Sequence, residues 1–214
     1  MSRLEAELRR VFGDPPQSPR AVVRVQVGSG QGFDAGREEA DRLVDAGAEL
    51  VVIDSDGPST AALCAIAVLL DLEPVAVIGT AAADGPGPWR KQVVAVRDLV
   101  RSTRAVARDV PRLVELLDDP AFGRLVGLLD RLAARRTPAL LGGGTDTAAA
   151  ALVVSRLQPG ADRWWLAGSV PVEAAGGLAL TAAGLTPLLD LDLGPGSADL
   201  AVALVRAGLE QLGG

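Results

Sequence analysis

An α/β fold built on a doubly wound, mostly parallel sheet is predicted by two features of this 214-residue chain. From residue 22 onward, short apolar runs free of charge alternate with longer helical stretches, and the runs end in clusters of glycine, acid or hydroxyl residues. The second feature is a core vocabulary of Leu, Val, Ala and Ile, since the chain has only three Phe, three Trp and no Tyr. Strands buried on both faces and their covering helices are filled that way. Right-handed crossovers between parallel strands then give a Rossmann-like, three-layer arrangement. Residues 1–19 read as a short N-terminal helical appendage and a Pro-rich linker, and residues 20–214 as a single α/β domain.

The elements follow in order. Residues 2–13 form a helix with Leu4, Leu8 and Val11 on one side and Gly13 as its stop, followed by the stiff linker Asp14 to Pro19. The apolar stripe of that helix needs a home, on the domain or on a second subunit. Val22 to Val27 is a strand with a wetter face at Arg24 and Gln26. Gly28 to Gly32 is a turn without the spacing of a dinucleotide loop, and helix 34–47 follows. Val51 to Ile53 reads as a buried strand and Ala61 to Leu70 as an apolar helix. Pro74 to Ile78 is expected to be another short buried strand, opening into a Gly/Pro/Ala loop before helix 89–103. Residues 111–136 form two helical pieces broken at Asp118-Asp119-Pro120. Strand 138–141 leads to helix 148–157, strand 163–168 to helix 172–183, and strand 187–193 to a final helix capped by Ser197.

Composition excludes several classes of function. A net charge of −6 leaves no basic face for a nucleic acid, and Lys91 is the only lysine. No apolar run has the length of a membrane span, the first residues carry no signal-peptide core, and the single Cys64 falls in an apolar helix. A cytoplasmic protein is expected. The chain has no histidine, which removes Ser-His-Asp hydrolysis, imidazole acid–base chemistry and most zinc sites. Chemistry must rest on carboxylates, Lys91, hydroxyls or backbone dipoles. No cofactor and no metal site is implied.

The candidate site centres on Val51 to Leu63, where a buried strand ends in Asp54-Ser55-Asp56-Gly57-Pro58 and a helix begins at Ser59-Thr60. Ser59 or Thr60 suits the helix cap, and Pro58 its first turn. Such a joint is either plain strand–turn–helix architecture or an anion cradle of free amides at the carboxyl edge of the sheet. The layout recurs at Leu140 to Ala148, where Gly142, Gly143, Gly144 and Thr145 lie between strand and helix. Two such helix starts on neighbouring strands would aim at one anion. Gly194 and Gly196 follow the last strand, and Glu173 opens the helix before it.

Taken in order, several segments carry a family likeness. Ile53 to Ala61 is similar to a glycine-rich Gly-Glu-Met-Gly-Ile-Gly-Asn-Thr-Thr segment, and Gly79 to Val93 to a long loop with an Arg-Lys helix start. Pro120 to Gly127, Arg136 to Leu141, Gly142 to Leu152 and Gly184 to Leu191 continue the series. Together they resemble the nicotinate-nucleotide–dimethylbenzimidazole phosphoribosyltransferase family of cobamide biosynthesis. The resemblance implies a site for a mononucleotide or an aromatic base, with Gly57, Ser59, Thr60, Lys91, Gly142, Gly143, Gly144, Thr145, Gly194 and Gly196 as binding residues. It also exposes departures. Pro195 stands where the family has a glutamate proposed as general base, Gly142 stands for its loop aspartate, and of Gly-His-x-Ser-x-Glu only Gly168 and Glu173 are kept. Family members are longer, and their N-terminal portion has no counterpart in this sequence. The resemblance thus implies a nucleotide-binding or regulatory relative. If it transfers a phosphoribosyl group, Asp54, Asp56, Glu173 or Asp192 must accept the proton.

A second likeness is kept beside the first. Asp54-Ser55-Asp56-Gly57 looks like the strand end of haloacid-dehalogenase-type phosphatases, with Thr80 and Lys91 in later roles, but only Asp146 is left to hold Mg²⁺. The expected partners are small molecules and, through the N-terminal helix, a second copy in a homodimer.

Overall fold

A computed structural model describes residues 2–27, 32–55, 57–79, 86–190 and 197–213. In chain order the elements are α1 (Arg3–Phe12), β1 (Val22–Val27), α2 (Phe33–Asp45), β2 (Leu50–Ser55), α3 (Thr60–Leu69) and α4 (Pro74–Ile78). They continue with α5 (Pro86–Thr103), α6 (Val110–Leu117), α7 (Pro120–Ala134), β3 (Ala139–Leu141) and α8 (Thr145–Leu157). The chain then adds β4 (Trp165–Ser169), α9 (Ala174–Ala182), β5 (Pro187–Leu189) and α10 (Ser197–Gly213).

Every strand pair among the described residues is parallel, and the sheet order follows the chain, β1-β2-β3-β4-β5. The three-layer α/β architecture read from the sequence is therefore present, with a simpler winding than the alternation suggests. An order without reversal sends every right-handed crossover to the same face. Side chains of Val51, Ile53, Ala139, Leu141, Trp165 and Ala167 pack there with the buried faces of α3, α7, α8 and α9. Their strand neighbours Leu50, Val52, Leu140 and Leu166 point the other way and meet Leu8, Val11, Ala201, Val205 and Leu209 of α1 and α10. The apolar stripe of α1 is covered by α10 and the sheet of the same chain. The exposed face that suggested a second subunit is not there.

Three expectations about local structure change. Pro74 to Ile78 is the helix α4, not a strand. Pro74 sits in its first turn, where its missing N–H costs nothing, and a five-residue apolar run has no period that separates helix from strand. Residues Ala161–Trp164 form a 3₁₀ turn, so β4 begins only at Trp165. Pro58 lies before the cap of α3, because Ser59 holds the cap position and its Oγ accepts the Ala62 N–H at 3.1 Å. The turn at residues 28–31 and the end of the last expected strand lie outside the described residues.

Helices α2 and α7 lie side by side in the same direction, with the Gly32 N–H bonded to the Pro120 carbonyl at one end and Arg135 on Asp45 at the other. Glycine makes the approach possible. A Cβ on Gly127 would stand 2.0 Å from the Phe33 carbonyl oxygen, and one on Gly36 would stand 2.0 Å from that of Arg124. Outside this contact run ion pairs: Arg124 with Glu39, Arg131 with Asp41, Arg135 with Asp41, and Arg37 with Asp130, each at 2.7–2.9 Å. Gly127→Ala must push rigid backbone apart and should cost at least about 2 kcal/mol, as other overpacked sites do. Gly177→Ala, on a helix where a Cβ meets nothing within 4 Å, should be neutral or stabilising by up to about 1 kcal/mol. Urea unfolding of the two variants beside the parent chain checks the contrast.

Candidate functional site

The carboxyl ends of β2, β3 and β4 stand in one row, with Ile53 beside Leu141 and Leu141 beside Ala167. Beyond that row the alternation of strand side chains divides the candidates between two faces. Asp54 belongs to the face of α10, near Arg24 and Asp199. Burial pushes its carboxyl up from the usual range, Arg24 opposes the shift, and Asp199 adds to it. Gly142 has no room for a side chain because the Asp54 Oδ1 lies 1.9 Å from where its Cβ would be. Its N–H donates to the Ile53 carbonyl at 2.8 Å.

Ser55 and Ser169 face the other layer, toward the helix starts. Ser169 is buried, and neither its Oγ nor that of Ser55 has a hydrogen-bond partner among the described residues. A Cβ on Gly144 would stand 2.5 Å from the Ser55 Oγ, so glycine keeps the hydroxyl clear.

The starts of α3 and α8 do come together. The Ser59 N–H donates to Asp146 Oδ1 at 2.8 Å, and the Ser59 Oγ lies 3.3 Å from the same oxygen. The anion at the start of α3 is thus the chain's own Asp146 carboxylate, reaching across from the first turn of α8. Buried Thr145 donates its hydroxyl to Glu173 Oε2 at 2.5 Å, which ties α8 to the start of α9. Thr147 shares its hydroxyl proton between the carbonyls of Gly142 and Gly144 and holds the glycine turn in shape. Asp119, which caps α7 through the Ala121 and Phe122 N–H groups, completes the rim.

Burial raises the Asp146 carboxyl to about 6. The two bonds from Ser59 pull the other way, while the negative charges of Asp119 and Glu173 add to the rise.

The sequence candidates therefore separate. Ser59, Gly142, Gly144, Thr145 and Glu173 line the place where β2–β4 meet α3, α8 and α9. Gly143 lies in the same turn, Gly57 leads into Ser59, and Thr60 is the first residue of α3. Asp54 is at the same edge on the opposite face of the sheet. Lys91 is exposed on α5, which packs on α3, α4 and α6, and it makes no ion pair among the described residues. Asp56, Thr80, Asp192, Gly194 and Gly196 lie outside the described residues. Sequence reasoning reaches Asp146 only as a leftover metal ligand of the phosphatase likeness, and it passes over Asp119 and Ser169. An acid in the first turn of a helix reads as a partner for the helix dipole, and only the neighbouring α3 start reveals a second task. A cavity of about 720 Å³ opens between α2, α6 and α7 on the far side of the rim; Asp119 lines it, while none of the sequence candidates does.

Asp146 gives the site a signature in solution. Its folded value lies above the ordinary 3.8, so the folded state holds this proton more tightly than the unfolded one. Its contribution to stability should rise by about 2–3 kcal/mol as pH falls from above 6 to below 4. Asp146→Asn should remove that part of the pH dependence. The difference between parent and variant in urea unfolding across pH 4–8 measures it.

The phosphoribosyltransferase family model DBI_PRT matches residues 26–213. Among curated relatives, the nicotinate-nucleotide–dimethylbenzimidazole phosphoribosyltransferase of Mycobacterium tuberculosis is 42% identical over 183 residues, covering 83% of this chain and 50% of the relative. The enzyme of that name from Mycobacterium avium is 37% identical over 221 aligned positions, covering 94% of this chain and 63% of the relative. The crystal structure of CobT from Thermus thermophilus superposes with a TM-score of 0.71 at 31% identity, over 85% of this chain and 55% of that one. A second structure from the same organism, of the phosphoribosyltransferase under its full name, gives 0.69 at the same identity, over 85% of this chain and 54% of that one. The chain spans about half the length of the M. tuberculosis relative. These matches are named as the phosphoribosyltransferase or as CobT, and none of them supports the phosphatase likeness of Asp54-Ser55-Asp56-Gly57 with Thr80 and Lys91. With the family model spanning nearly the whole domain, the chain belongs to the nicotinate-nucleotide–dimethylbenzimidazole phosphoribosyltransferase family.

Proposed function

We propose that this chain binds a nicotinate mononucleotide, with the sugar held at the edge where β2, β3 and β4 meet α3, α8 and α9. The observation that carries the reading is the convergence there of two hydroxyls without partners among the described residues and two shielded carboxylates, in a chain of this family. Ribose hydroxyls are donors that carboxylates accept, and serine hydroxyls can either give or take the remaining bonds. A carboxylate-rich pocket also favours the positive charge on the pyridinium ring and at the ribose carbon as the glycosidic bond lengthens. The phosphate is proposed for the backbone amides of Gly57, Gly142, Gly143, Gly144, Gly194 and Gly196, with Thr60 and Lys91, groups that balance the nearby acids. Glu173 is proposed for the sugar and base side, with Asp56, which lies outside the described residues; Asp54 stays on the far face of the sheet.

Pro195 at the place of the family glutamate supports a nucleotide-binding relative, in which any transfer must draw on a different proton acceptor. A cytoplasmic setting and a homodimer belong to the same proposal. The buried free thiol of Cys64 suits the first, and the dimer has lost the support that an uncovered α1 would have given.

Isothermal titration of nicotinate mononucleotide into the full chain checks the reading. Saturable binding is expected, weakened about 10-fold by Glu173→Gln and by Thr145→Val, a loss of about 1.4 kcal/mol. Heats of dilution alone at millimolar nucleotide would end it.

A further inference from the structure

We infer that Asp146 is the residue that receives the proton when the ring nitrogen of an azole acceptor replaces nicotinate on the ribose. The inference rests on the mononucleotide reading above and assigns it a chemical step. The step balances. A bond forms between the acceptor nitrogen and the ribose C1′, and the bond from C1′ to the nicotinate nitrogen breaks, its electron pair neutralising the pyridinium. The acceptor, now cationic, loses the proton on its other ring nitrogen, and that proton goes to the carboxylate.

Three features single out this side chain. Its Oδ1 is pinned by the Ser59 N–H and hydroxyl, so the group is held in one orientation, while no hydrogen bond among the described residues reaches Oδ2. A positioned carboxylate with one oxygen open is what proton transfer requires. It also stands where the starts of α3, α7, α8 and α9 meet, with Asp119 and Glu173 as the charged groups that face it. The competing acids at this edge are differently employed. Asp119 and Glu173 are also held through one oxygen, but Asp119 by the amides of its own helix α7 and Glu173 by the Thr145 hydroxyl, whereas Asp146 accepts the free amide at the start of a neighbouring helix. Asp54 lies on the other face of the sheet. Finally, burial and its two acidic neighbours make Asp146 more basic than an ordinary aspartate, toward the range useful near neutral pH.

The amide of Asp146→Asn can still accept the Ser59 N–H, so the anchoring bond survives while the basic oxygen is removed. The test supplies the full chain with nicotinate mononucleotide and 5,6-dimethylbenzimidazole and follows the ribosylated product by chromatography. Asp146→Asn should slow product formation about 100-fold or more, the scale of a lost general base, well beyond the about 10-fold loss of nucleotide affinity that removing one carboxylate from the sugar site gives. The parent rate should rise with pH and level off above about 6. Added formate should restore part of the rate to Asp146→Asn, which a purely structural role for the side chain would not allow. A parent chain that binds the nucleotide yet forms no product overturns the inference, as does a variant as fast as the parent. Failure to bind the nucleotide at all would instead remove the reading beneath it, and the titration separates the two cases.

Discussion

A parallel sheet whose strands follow one another in chain order can receive its crossover helices on one face only, and everything else in this protein answers to that constraint. Leu50, Val52, Leu140 and Leu166 line the face left open, which has to be buried by segments that are not crossovers. The two ends of the described chain supply them. Helix α1 arrives before the first strand and α10 leaves after the last, and they pack on each other as well as on the sheet. Full burial of a Leu or Val side chain stabilises by about 1.5–3 kcal/mol, so the four strand residues alone make this second layer indispensable.

The same constraint shapes the site. With all the crossovers on one side, the starts of α3, α8 and α9 crowd together above the ends of β2, β3 and β4. Helix starts carry free amides and partial positive charge, and the chain answers them with its own acids: Asp119 at α7, Asp146 at α3, and Glu173 beside Thr145. Burial raises the proton affinity of Asp146, and the charges of Asp119 and Glu173 close by add to it. A purely structural capping scheme would favour a small, well-solvated aspartate at each helix. The clustering is what distinguishes this edge from the opposite one.

Much of the architecture was legible in the sequence, because charge-free strands and alanine-rich helices differ in length and period wherever they are long enough. The failures fall where that difference vanishes. Pro74 to Ile78 has five residues, no polar member to mark a face, and a proline that suits either reading. The site was legible in part. Hydroxyls and glycines at strand ends announce themselves, and Ser59, Thr145 and Glu173 are at the cluster. The task of Asp146 was not legible, since its partner Ser59 is 87 positions away along the chain and only the packing of α3 on α8 brings them into contact. Lys91 is a different case. Its rarity and its place near a helix start draw attention in the sequence, and its side chain is exposed on α5.

The glycine contact between α2 and α7, bordered by its rungs of guanidinium and carboxylate, gears two helices into a single bar. Backbone touches backbone at Gly36 and Gly127, so neither helix can slide or roll without the other. One end of that bar carries Asp119, beside the carboxylate cluster, and the Gly32–Pro120 bond that starts α2. A small displacement of the rim on filling the cleft would therefore travel as one rigid movement to the far end of the bar, where Asp45 and Arg135 sit just ahead of β2 and β3.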